Sequence, residues 1–360
     1  MPVPKPMKIS FPRYAEYNCA LKYLTERGFH NVKYIMPPAL TKRTEELGAR
    51  YSPDFVCTPF KTLLGSSIEA LEAGADTLVM THGYCRLGYY GELMEQILRD
   101  QGYHFDFINL SEYSTGKKRD WLKLLKRIDP KVNLAKFILA FRETAKMVEH
   151  LDDVTGEYYR SCGFDPTHTE YKRAYKKFLA AMSAANSKAD IEEDYREVKE
   201  EFQKIHLDKP GRTLKVGIVG EFFTAMDAFS NLNLEQKLAD MGVEVHRWMN
   251  MTNHLLHYGN VKNLAPKIKE LSNYSMGPTS TANIWYAKVC AEHRFDGIVH
   301  VKSANCTPEI DIMPVLQTIS TDYKIPTLYL TYDSQTSEVG LMTRLEAFYD
   351  MIETRKRALS

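Results

Sequence analysis

Short apolar runs bounded by turn residues alternate with helical stretches twice in this chain, and a strand-free, highly charged segment separates the two rounds. Residues 1–115 carry the runs MKISF, VKYIM, DTLVM and FDFINL with helical sequence between them. From 116 to 210 the strands vanish and KKRDWLKLLKRI, NLAKFILAFRETAKMVEHLDDV and KRAYKKFLAAMSAANSKADIEEDYREVKEEFQKI follow, the last reading as one long amphipathic helix. After the linker DKPGRT the alternation resumes, over 211–360, through LKVGIVGEFF, VEVHRW, DGIVHV and TLYLTY. Strands that alternate with helices of this length return in parallel, because each crossover helix must pack back on the sheet. The expected fold is therefore α/β, with parallel-sheet domains at 1–115 and 211–360 and a helical region at 116–210. The charge run reads as a solvated helical face, with a partner surface as the alternative.

A chain of 360 residues with 44% hydrophobic content can bury two cores of usual size, and its formal charge of +1 suggests no nucleic-acid partner. No apolar run approaches the roughly 20 residues needed to span a bilayer, and MPVPKPMKISF lacks the apolar stretch of a secretory signal. A cytoplasmic protein is expected. Six dispersed cysteines do not resemble a disulfide framework, and no Cys-x-x-Cys occurs, which excludes zinc-ribbon and bacterial ferredoxin patterns.

Three of the cysteines share a placement. Cys57, in DFVCTPFK, stands just before a helical run, where free N–H groups and the positive end of the helix dipole stabilise a thiolate. Cys85, in THGYCRLGYY, follows the strand of DTLVM, and Cys306, in KSANCTPEI, follows the strand of DGIVHV. Asp76 and Asp296 precede those two strands, so each half presents a cysteine at a strand's carboxyl end, where open parallel sheets keep their ligand sites. Thiolates there can hold a metal; ordinary core cysteines are the alternative.

The strings ARYSPDFVCTPFKTLLGSSIEALEAGADTLV, YCRLGYYGELMEQILRDQGY, VGIVGEFF, FDGIVHVKSANCTPEIDIMPVLQTIS and IPTLYLTYDSQTSEVGLMTRLEAFYDMI resemble the component-D-like proteins of the 2-hydroxyacyl-CoA dehydratases and their activase-associated relatives. The resemblance implies two Rossmann-like domains with a 4Fe-4S cluster in the cleft between them, held by Cys57, Cys85 and Cys306. Three protein thiolates leave one iron open to water, sulfide or substrate. A separate ATP-hydrolysing activase is the implied electron donor, and no GxxxxGK[ST] loop occurs in this chain. If the parent chemistry is kept, the substrate is a CoA thioester, reduced to a ketyl radical that expels hydroxide. Cys19, Cys162 and Cys290 bring the cysteines to the number that a double-cubane cluster, known among these relatives, would need; structural roles are the alternative. In the carboxyl-terminal signature an acid commonly stands where this chain has Ser334, while Asp333, Gln335, Arg344 and Glu346 keep the pattern.

Other side chains are expected near these cysteines. Glu221 directly follows the strand of LKVGIVG and is a candidate for acid–base work, with simple helix capping as the alternative. His82 and His300 are further acid–base candidates, against structural roles. Lys61 and Arg86 could balance the charge of a cluster, and Tyr84, like Tyr89 and Tyr90, could shield it. The expected function is an activase-fed reductase or radical dehydratase acting as a dimer. A non-catalytic electron-transfer or scaffold subunit is the alternative, and zinc on the three thiolates is a third possibility.

Overall fold

A computed structural model of the chain describes residues 6–80, 85–113, 118–257, 261–274 and 276–358. The chain divides into two compact units, Met1–Val148 with Ala181–Glu192, and Glu149–Ala180 with Glu193–Ser360. The first contains β1 (Met7–Ser10), α1 (Asn18–Gly28), β2 (Val32–Tyr34), α2 (Lys42–Tyr51), α3 (Thr58–Glu72), β3 (Thr77–Met80), α4 (Arg86–Asp100), β4 (Asp106–Asn109) and α5 (Lys118–Ile128). Helices α6 (Leu134–Ser161), α7 (Glu170–Ala184) and α8 (Lys188–Lys204) follow. The unit boundaries fall inside these three helices, so the helical stretch contributes to both units. The second unit continues with β5 (Leu214–Gly220), α9 (Phe222–Met226), α10 (Leu234–Asp240), β6 (Val243–Arg247), α11 (Val261–Leu264), α12 (Pro278–Glu292), β7 (Gly297–Ser303), α13 (Thr307–Asp322), β8 (Thr327–Tyr332) and α14 (Glu338–Ala358).

Each unit is built on a four-stranded parallel sheet, ordered β2-β1-β3-β4 in one and β6-β5-β7-β8 in the other. The α/β expectation of two parallel-sheet halves holds. The same device locks the register of the central strands in both. Asp76 Oδ1 accepts from the Lys8 N–H at 2.8 Å, and Asp296 Oδ2 from the Lys215 N–H at 2.7 Å. In return the Asp76 N–H reaches the Lys8 carbonyl and the Asp296 N–H the Lys215 carbonyl.

One expectation fails. The segment from Lys172 to Ile205 is not one helix but the carboxyl-terminal part of α7 and all of α8, interrupted before Lys188. Asp190 Oδ2 accepts from the N–H groups of Asn186 and Ser187 at 2.8 and 3.0 Å, and the Asp190 N–H donates to Ser187 Oγ at 3.2 Å. That reciprocal cap starts a new helix inside an amphipathic pattern that runs through it.

Strand side chains alternate between two cores. In the second unit Val216, Ile218, Val299 and Val301 face α10 and α14, whereas Val219 and Ile298 face α12 and α13. In the first, Ile9, Val79 and Ile108 pack with α1 and α5. Phe60 on α3 meets Tyr90 on α4 with ring centroids 4.6 Å apart. Helices α2 and α3 cross backbone to backbone: a Cβ on Gly48 would stand 1.9 Å from the Lys61 carbonyl oxygen, and one on Gly65 2.0 Å from that of Thr44.

Candidate metal centre

Cys57 is the N-cap of α3 and Cys306 the N-cap of α13, each with extended backbone and each followed by Thr and Pro. The same tripeptide, Cys-Thr-Pro, thus opens two helices, a repeat that the sequence shows directly. Proline suits the first helical turn because its missing N–H would have no partner there. Neither thiol caps its own helix by a side-chain hydrogen bond. Both are half-buried, and Cys85, just before α4 at the carboxyl end of β3, is exposed. A helix start stabilises negative charge by about 0.3–1 kcal/mol, which favours thiolate at Cys57 and Cys306.

Topology makes Cys85 and Cys306 counterparts, since β3 and β7 hold the same position in their sheets. The helix before β7, α12, starts at Gly277 where α3 starts at Cys57. Three cysteines rather than four therefore stand at the corresponding strand and helix ends of the two sheets.

The other three cysteines have a different chemistry. Burial pushes the Cys19 thiol up to about 12, and it donates to the Glu16 carbonyl at 3.1 Å. Burial likewise pushes Cys162 up to about 12. Cys290 is raised further by complete burial, and its Sγ would lie 2.2 Å from a Cβ on Gly217 in β5. Cys162 stands on the α10 side, within reach of Gln236 Nε2, while Cys290 lies in the α12 core. Opposite faces of one sheet cannot bring these two to a common cluster. The double-cubane set does not fit these positions.

Among the described residues no three His, Cys, Asp or Glu side chains are grouped to hold a metal ion within bonding reach of one another. Glu221 is the N-cap of α9; its carboxylate is buried and accepts from the N–H groups of Phe223 and Thr224 at 2.7 and 2.8 Å and from Thr224 Oγ1 at 2.5 Å. Burial raises its pKa against those hydrogen bonds, with a contribution from the charge of Glu309. His300 is fully buried in β7, its Nε2 2.9 Å from Glu309 Oε2. Lys61 donates from Nζ to the Asp54 carbonyl at 3.1 Å, tying the loop that leads to Cys57. Arg86 opens α4, and His82 and Tyr84 lie outside the described residues. In the carboxyl-terminal signature Asp333 Oδ1 accepts from the Gln335 N–H at 2.8 Å and shapes the turn before α14, while Arg344 ties α14 to the Tyr329 carbonyl of β8 at 2.6 Å. Those kept residues build the turn and the helix seat.

Sequence reasoning missed Glu309, Asn283 and His254. His254 is buried in a π-helical turn at Thr252–His257, its ring 4.4 Å from that of Phe222, and burial holds its pKa down at about 4. Glu309 was legible only as an acid in a helix's first turn.

Two four-stranded parallel sheets with helices between their strands define the α/β class. The family of the 2-hydroxyglutaryl-CoA dehydratase D-component matches residues 29–352, nearly the whole chain, and the chain belongs to that family. No curated protein matched it. No described helix is long and apolar enough to cross a membrane.

Proposed function

We propose that this chain is the iron-sulfur component of a system of the 2-hydroxyacyl-CoA dehydratase type, with Cys57, Cys85 and Cys306 as ligands of a 4Fe-4S cluster. The observation that supports it is the pair of Cys-Thr-Pro helix starts in a member of a dehydratase-component family. When bound, a cluster on three thiolates supplies one-electron reduction at an iron that no cysteine fills. The helix dipoles at α3 and α13 stabilise the thiolate charge of Cys57 and Cys306. Lys61 holds the approach to Cys57, and Arg86 and Tyr84 flank Cys85 in sequence as charge and shield. His82 and Glu221 are the acid–base groups of this reading; Glu221 keeps its proton to a higher pH than an ordinary carboxyl. A separate ATP-hydrolysing activase supplies the electron, a CoA thioester is the substrate, and the protein works as a cytoplasmic dimer.

Iron and acid-labile sulfide per chain, measured on protein purified without oxygen, test the reading. About four of each are expected, with a paramagnetic signal after reduction. Cys57→Ser, Cys85→Ser and Cys306→Ser should each strip the iron and Cys19→Ser should not. Iron retained after loss of Cys85 sinks the ligand assignment. A cluster whose signal is indifferent to added small ligands would favour the electron-carrier role instead.

A further inference from the structure

Glu309 lies three residues beyond the cap Cys306, the place from which an acid ordinarily reaches back to the cap residue's backbone N–H. Here that N–H donates to the Ser303 carbonyl at 3.1 Å, and Glu309 turns inward with no exposure at all. Its Oε1 accepts from Asn283 Nδ2 at 2.9 Å, and its Oε2 meets His300 Nε2 at 2.9 Å. Asn283, on α12, also binds both backbone groups of Gly220: Nδ2 donates to the carbonyl at 2.8 Å, and Oδ1 accepts from the N–H at 3.0 Å. One carboxylate thereby joins the end of β5, the strand β7, the helix α12 and the first turn of α13.

The arrangement is an expensive way to seat a helix. No Lys or Arg pairs with Glu309 among the described residues, and both Glu309 and His300 are sealed from water. Burying polar groups away from water is unfavourable unless they are hydrogen-bonded, and apolar side chains of like volume would pack as well. His300 Nδ1 is also sealed, without a hydrogen-bond partner among the described residues. The tautomer with hydrogen on Nε2 donates to Glu309 and leaves only a lone pair unsatisfied at Nδ1, a smaller penalty than an orphaned N–H. A directional clamp in which both carboxylate oxygens of Glu309 are bonded fixes geometry where apolar packing would allow sliding.

We propose that Glu309 is a positioning residue for Cys306: through His300 and Asn283 it fixes the first turn of α13 against the strand ends, so that the thiol is held in place before any ligand binds. This rests on the assignment of Cys306 as a cluster ligand. Preorganisation of this kind is what supporting side chains give a metal site.

The test is the rate at which iodoacetamide alkylates Cys306 relative to Cys57, read by peptide mass spectrometry on the metal-free full chain. Glu309→Gln and His300→Leu should each raise that ratio about fivefold, the factor that loss of one buried hydrogen bond sets on a local opening. His300→Gln, which keeps a donor toward Glu309, should restore it. Iron loss to a chelator from anaerobically loaded Glu309→Gln protein should quicken by a similar factor. A melting temperature that falls in these variants while the ratio stays at the wild-type value overturns the proposal in favour of a purely structural role. Should the variants not fold, hydrogen exchange on the unaltered protein decides: the Ile310 and Asp311 amides should be as protected as those of β7, and exchange at loop rates overturns the clamp. If Cys306→Ser keeps its iron, the ligand assignment falls while the alkylation ratio still decides the clamp.

Discussion

At pH 7 a thiol whose pKa is pushed up to about 12, as burial does to Cys19 and Cys162, is ionised in about one molecule in 10⁵. Without a metal beside them such groups pack as neutral thiols. Replacing Cys290 with Ser should leave iron untouched and lower unfolding free energy by about 1–3 kcal/mol, since a hydroxyl would sit in the apolar α12 core. Denaturant melts and iron assays on one preparation check both halves of that statement. His254 gives a pH signature. Its native pKa of about 4 lies below the ordinary 6.5, so between these values the unfolded chain binds a proton that the native protein refuses. Its contribution is complete above about pH 6.5 and is lost as pH falls, at about 1.4 kcal/mol per unit and about 3 kcal/mol in total. The difference in unfolding free energy between wild type and His254→Asn should shrink steadily from pH 7 to pH 4. A difference flat with pH would show that His254 is not held neutral by burial.

Helices and strands set the geometry in which those side chains act. Gly220 has a φ of +152°, and a Cβ there would stand 2.0 Å from the Val301 carbonyl oxygen of the neighbouring strand. Gly220→Ala should therefore cost more than about 3 kcal/mol and loosen the β5 end to which Asn283 is bound. Gly74 also has positive φ but open space around it, so Gly74→Ala should cost only about 1–2 kcal/mol. Comparing their thermal melts separates the steric contribution from the conformational one. At the start of α8, Ser187→Ala should lower stability by about 1 kcal/mol, because the cap that divides α7 from α8 loses its hydroxyl. A melt unchanged by that substitution would assign the break to Asp190 alone.

Cys57 and Cys85 belong to one compact unit and Cys306 to the other. If one cluster takes all three, metal binding links the stabilities of both units by mass action. Anaerobic iron loading should then raise the melting temperature of the whole chain, a chelator should reverse the rise, and Cys57→Ser or Cys306→Ser should each abolish it. A rise that survives either substitution refutes shared ligation. Much of this organisation is local and hence legible in the chain. Short apolar runs bounded by turn residues set the strands, Asp76 and Asp296 mark the two equivalent strand starts, and Cys-Thr-Pro marks two helix starts, because apolar patterning, capping and turn chemistry act over a few residues. The break before Lys188 was legible too, in Ser187 and Asp190, but amphipathic periodicity masked it. What the sequence could not decide is which polar groups lose water. Glu309 and Glu346 are both acids on helices, yet only Glu309 meets Asn283, 26 positions away, and His300, nine positions away, inside a core. The chemical division of the six cysteines arises in the same way. Desolvation and long-range hydrogen bonds depend on which elements pack together, so they exist only once the tertiary structure has formed.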